Sequence, residues 1–211
     1  MAYDLEEQEK LDALRAWWDR YGTLIAVVVI GAVLIFAGWR AWQWYQGHQA
    51  SQAMGYFEAL ENAAMQQTED STPRIKAASA TLRKDFPDSG YTSRGILIAA
   101  AALKTQGDLD GAREQLEWLI SKGGDPALVP LARLRLAGIL LEQKQYDEAL
   151  ARLEPAAPAF EGLYADRRGD ILVAQGKKDE AIEAWQTAIA QLGDDPLVQV
   201  IQLKIDANGG A

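Results

Sequence analysis

GDLDGAREQLEWL from Gly107 to Leu119, KQYDEALARLEPA from Lys144 to Ala156 and GKKDEAIEAWQTA from Gly176 to Ala188 align without gaps. Ala112, Ala149 and Ala181 occupy one register, 37 and 32 residues apart. Leu116, Leu153 and Trp185 follow four residues later, and Leu119, Ala156 and Ala188 three beyond those. Twelve residues before each alanine stands a small residue, Ala100, Ala137 or Gly169, with Leu103, Leu140 or Leu172 three after it. Recurrence at three and four residues is helical. A small residue on a first helix lets the alanine of a second approach closely while larger side chains fill the remaining gap, so each unit reads as a packed helical hairpin. Gly107 and Gly176 supply the turns, and Asp110, Asp147 and Asp179 stand near the start of each second helix.

A period of about 34 residues with this layout resembles the tetratricopeptide repeat, which stacks hairpins into a solenoid. No proline stands at the usual end of the unit, although Pro126 and Pro196 follow closely. Upstream, Ala50, Ala53, Phe57, Leu60 and Ala64 recur at helical spacing, with a weak point at Gly47. After the break TEDSTP, Pro73 suits the first turn of a helix running to about Asp85, closed by Phe86-Pro87 and Asp88-Ser89-Gly90. Downstream, PLVQVIQLKIDAN sets Leu197, Ile201 and Ile205 on one face and reads as a helix capping the last hairpin. The repeat domain spans 46–208, and 209–211 is a frayed end.

Ahead of the repeats, YGTLIAVVVIGAVLIFAGW (Tyr21 to Trp39) carries no charge and is bracketed by Arg20 and Arg40. At about 1.5 Å per residue its nineteen residues cover roughly 28 Å, the thickness of a bilayer's hydrocarbon. Trp17, Trp18 and Tyr21 flank one end, and Trp39, Trp42, Trp44 and Tyr45 the other, where half-wet rings suit the headgroups. These features define a membrane helix over 21–45. The acidic start (Asp4, Glu6, Glu7, Glu9) and the bulky residues after the span argue for an anchor rather than a cleaved signal. Lys10, Arg15 and Arg20 precede the span and only Arg40 follows closely, so the 1–20 tail stays cytoplasmic and the remainder crosses. In that tail Leu11, Leu14 and Trp18 share a face, which fits an interfacial helix leading into the span. Gly22 and Ala26 form a small-xxx-small pair.

Composition narrows the chemistry. The net charge of −9 argues against a nucleic-acid groove. The absence of cysteine excludes disulfides, thiolate metal sites and a cysteine nucleophile. No phosphate-binding, nucleophile-elbow or zinc-protease motif occurs, and the single histidine, His48, reads as a surface imidazole. Asp166 and Asp170 stand one helical turn apart with Arg167 and Arg168 between them, which reads as salt bridging on a solvated face rather than a catalytic pair. No catalytic, cofactor or metal site can be assembled.

A binding surface can. First helices of stacked hairpins line the concave side of such solenoids. That face would include Leu97, Leu131, Leu134, Leu141, Leu163 and Val173, edged by Arg94, Lys104, Glu142, Asp166 and Asp170. An apolar stripe open to water marks a partner site, and Leu131, Leu134 and Leu141 are the expected contacts.

AGWRAW (Ala37 to Trp42), ADRRGDILVAQGKKDEAIEAW (Ala165 to Trp185) and IQLKIDAN (Ile201 to Asn208) resemble the YfgM family, whose members are ancillary subunits of the bacterial Sec translocon. The resemblance covers essentially the whole chain, and the C-terminal segments are its most specific part. It implies a place in the inner membrane beside the SecYEG channel, with the domain in the periplasm. It further implies pairing with a membrane-anchored periplasmic chaperone of the PpiD type and handling of emerging unfolded chains. The family brings no catalytic residues, and its partner-binding residues are not placed by motif. Anchor and repeats alone would equally suit a scaffold for envelope or cell-wall assembly.

Overall fold

In a computed structural model, residues 2–66, 68, 70–122 and 125–209 are described. Every regular element among them is helical: α1 (Ala2–Gln66), α2 (Ser71–Asp85), α3 (Gly90–Thr105), α4 (Leu109–Lys122), α5 (Val129–Glu142), α6 (Tyr146–Arg152), α7 (Glu161–Ala174), α8 (Lys178–Leu192) and α9 (Leu197–Ala207). The chain divides into two compact units, residues 1–49 and 50–211. The frayed end expected at 209–211 lies largely at Gly210 and Ala211, outside the described residues.

The first unit is helix. It contains the one stretch among the described residues long and apolar enough to cross a membrane, and most of its described large apolar side chains are exposed rather than packed. Helix runs through Gly47 without a break, because a lone glycine costs only about 1 kcal/mol within a long helix. At Gly22, the small residue paired with Ala26, the Trp18 indole lies close, its Cε2 3.0 Å from where a Cβ would stand.

The second unit is a row of hairpins closed by α9. Each turn has the same hydrogen bonds. Asp108, Gln145 and Lys177 donate their N–H to Leu103, Leu140 and Leu172 carbonyls at 2.9, 2.8 and 3.0 Å. The residue before each is left-handed, Gly107 (φ 83°), Lys144 (φ 59°) and Gly176 (φ 83°). This is the glycine-favoring helix stop, with lysine holding the middle copy. Lys144→Gly is therefore expected to raise stability by roughly 0.5–1 kcal/mol. Thermal melting of the full chain checks it, and an unchanged or lower melting point contradicts it.

The glutamine ending each first helix reaches back to the preceding hairpin. Gln106 Nε2 donates to Ser71 Oγ (2.9 Å), Gln143 Nε2 to Asp110 (2.8 Å) and Gln175 Nε2 to Asp147 (3.2 Å). Asp110 and Asp147 thus tie hairpins together rather than cap their own helices. At α4 the capping side chain is Asp108, which accepts the Gly111 N–H at 2.9 Å. Its bond to Lys76 holds its carboxyl below the usual aspartate range. α6 is also shorter than the aligned segments imply. Pro155 cannot donate to a helical turn, so the helix stops at Arg152 and Ala156 is exposed.

Two hydrophobic cores meet at α7. Tyr164 and Ile171 join the core that runs back through α5 and α3 to Leu60 and Ala53. Ala165 and Leu172 join Ala181, Trp185, Ala188, Ile201 and Ile205. Trp185 occupies the room that Gly169 leaves, since a Cβ there would stand 2.4 Å from the indole Nε1.

Candidate functional site

Six, three and two residues before each first-helix small residue, and one and four after it, lie positions that share one side of the helix. The three-before position holds Leu97, Leu134 and Asp166; the two-before position holds Ile98, Arg135 and Arg167; the four-after position holds Lys104, Leu141 and Val173.

The side chains differ from the open leucine stripe that spacing predicts. Leu97 is only 7 % exposed and belongs to the core. Leu131, Leu134 and Leu141 are half-buried and packed against that core, because neighbouring first helices lie close enough to shield them. Polar groups cross between those helices. Arg135 Nη1 donates to the Leu97 carbonyl at 3.1 Å, Lys104 pairs with Glu142 at 2.5 Å, and the Arg167 guanidinium lies over Gly138. Arg94 is exposed.

Asp166 and Asp170 do not form an open acidic edge. Lys204, from α9, donates to both, at 2.6 and 2.7 Å. Arg167 reaches Asp170 at 3.5 Å, as local spacing predicts, but Arg168 turns to Glu154 at 3.6 Å. Burial pushes the Asp166 carboxyl up, and the Lys204 bond opposes the rise. Lys204 also lies 5.9 Å from the Trp185 ring centre. The cluster therefore fastens α9 to α7 and leaves little acid chemistry free. Among the described residues no group of three or more His, Cys, Asp or Glu side chains could hold a metal.

Open apolar surface survives at the two ends of the row. One groove of about 390 Å³ lies between the end of α1, α3 and α5, lined by Met65, Ile98, Ala101, Ala102 and Arg135. The other, of about 400 Å³, lies among α7, α8 and α9, lined by Val173, Trp185, Val200, Leu203 and Lys204. Met65 and Leu203 are each 67 % exposed. Sequence reading missed both. The signal for Leu203 was present, because Val200, Leu203 and Ala207 form a second helical stripe beside Leu197, Ile201 and Ile205. Such grooves can bury apolar side chains of a partner.

Comparison with known proteins agrees with this architecture. A family model described as a tetratricopeptide repeat-like domain matches residues 15–210. The chain is 31 % identical to the ancillary SecYEG translocon subunit of Neisseria gonorrhoeae over 98 % of this chain and 99 % of that one. It is 28 % identical to the protein of that name from Haemophilus influenzae, covering 98 % and 99 %. For the Escherichia coli protein of that name the identity is 27 %, covering 95 % of each. Among solved structures, the MamA RS-1 ArsTM double mutant superposes with a TM-score of 0.52 at 18 % identity, over 74 % of this chain and 86 % of that one. That last likeness concerns the fold alone.

Proposed function

We propose, from the premise that this chain belongs to the family of ancillary SecYEG translocon subunits, that it is a membrane-anchored adaptor which binds proteins and catalyses nothing. Residues 21–45 anchor it in the inner membrane, and the hairpins stand on the periplasmic side. The excess of Lys10, Arg15 and Arg20 over Arg40 favours that direction. Its partners are the SecYEG channel and, next to it, a PpiD-type periplasmic chaperone, with emerging unfolded chains as transient occupants of the first-helix face.

Similarity along the full length to relatives named as ancillary SecYEG translocon subunits is the observation that supports the reading. Binding is assigned here to the two apolar grooves, where a Met or Leu side chain fully covered by a partner would contribute roughly 1.5–3 kcal/mol. Purified full chain added to SecYEG in nanodiscs should bind saturably, and protease added outside spheroplasts should digest residues 50–211. Absence of binding, or protection of the repeats in intact spheroplasts, would overturn the association or the direction respectively.

A further inference from the structure

The first unit carries an apolar face that extends beyond the apolar run. Leu11 and Leu14 are 58 % and 60 % exposed, and Trp18 and Tyr21 continue their line at intervals of four and three residues. The Trp18 indole is seated against Gly22, and Trp17 contacts both Trp18 and Tyr21, with ring centres 6.5 and 5.7 Å apart. Alternate three- and four-residue steps make a seam for another helix.

Helix is unbroken from this seam into the apolar run. At about 1.5 Å per residue, Leu14 lies roughly 10 Å and Leu11 roughly 15 Å beyond Tyr21 along the helix. The headgroup layer on one side of a bilayer is only about 5–8 Å deep. On a helix that continues unbroken along the same axis, lipid covers Trp18 but not Leu11 or Leu14.

Charge identifies the occupant. In heptad positions, Leu11 and Trp18 are a, Leu14 and Tyr21 are d, Trp17 is g, and the charged flanks nearest the seam are Lys10 (g) and Arg15 (e). Two copies inserted alike would set Lys10 of one against Arg15 of the other, a like-charge pair. Arg15 lies 3.9 Å from Asp12 on its own helix, a contact exposed to water on both sides that holds neither charge away from the seam.

We propose that residues 10–21 form a helix-pairing seam that takes, outside the bilayer, the juxtamembrane helix of a different membrane protein whose apolar stripe is flanked by acidic residues. The proposal rests on reading residues 21–39 as membrane-spanning.

The chain has no cysteine, so a donor dye can be placed on Ala16→Cys, on the far side of the helix from the seam. The full chain is reconstituted in phosphatidylethanolamine–phosphatidylglycerol vesicles with an acceptor-labelled single-span helix. The probe has leucines along its juxtamembrane stripe and glutamates, or in a second version lysines, beside them. Energy transfer should saturate at a probe density at least tenfold lower for the glutamate version, and the K10E/R15E double variant should invert that order. Equal transfer from both probes overturns the proposal. Self-transfer between chains stronger than transfer to the glutamate probe overturns it in favour of a second copy. A nitroxide on Leu14→Cys relaxed by lipid-dissolved oxygen rather than by a water-soluble nickel complex overturns it in favour of the bilayer surface. A parent that ignores SecYEG nanodiscs yet pairs with the glutamate probe sinks the SecYEG reading alone. Retained SecYEG binding with no probe preference sinks the seam alone.

Discussion

Trp185→Ala is expected to lower stability by about 3–5 kcal/mol, the largest effect of any single truncation in the repeats. Trp185 is buried among Ala165, Ala181, Ala188, Leu172, Ile201 and Ile205, a set in which half the neighbours are alanines. The indole thus supplies much of the volume that joins α7, α8 and α9. Gly169 leaves a backbone hollow that the ring fills, and an alanine at 185 would leave that hollow open to its neighbours. The indole Nε1 has no hydrogen-bond partner, so the loss is one of packing and apolar transfer. Lys204 would also lose the ring beside it. For a domain of this size each kcal/mol moves the melting point by about 2–4 °C, so a fall of roughly 10 °C is expected. The complementary change, Gly169→Ala, drives a Cβ into the same ring and should cost roughly 1–3 kcal/mol. A Trp185→Ala melt within a degree or two of the parent would mean that the indole does not hold these helices together.

Leu203→Asp is expected to weaken binding of the full chain to SecYEG nanodiscs by one to two orders of magnitude, at about 1.4 kcal/mol per tenfold. Leu203 is 67 % exposed on α9 at the mouth of the groove formed with Val173 and Val200. A partner that covers it gains roughly 1.5–3 kcal/mol from the leucine and would have to desolvate an aspartate put in its place. Because the position is open in the free protein, the melt should shift by no more than a few degrees. Leu203→Asn serves as the uncharged control for repulsion from nearby Asp170. The same experiment at Leu134, where sequence spacing pointed, would confuse folding with binding, since that side chain is packed against the core. Unchanged affinity with an unchanged melt would remove the α9 groove from the binding surface.

The hairpins were legible because their signal is local. Small residues at 100, 137 and 169 and alanines at 112, 149 and 181 recur at fixed offsets, and close helix packing leaves few other choices there. The middle turn was harder to read, since Lys144 takes a left-handed conformation that glycine advertises at 107 and 176. Pro155 announced the early end of α6, yet the ungapped alignment hid it. What could not be read were contacts far apart in sequence. Lys204 lies 34 and 38 residues from the two aspartates it joins, so helical spacing offered only Arg167 and Arg168 as partners. The openness of a first-helix leucine was equally out of reach, because it depends on how closely the next hairpin stacks. Leu97, Leu134 and Leu203 look alike in sequence, and only Leu203 stands open.

On the proposed reading, partners meet the first-helix face at its two apolar ends. Photo-crosslinking in membranes that contain SecYEG and the PpiD-type chaperone tests it most directly, with a photoreactive residue placed in turn at Met65, Leu203 and Glu183, the last exposed on α8. Adducts to either partner from Met65 and Leu203, and none from Glu183, are predicted. Adducts from Glu183 with none from Met65 or Leu203 would contradict the account.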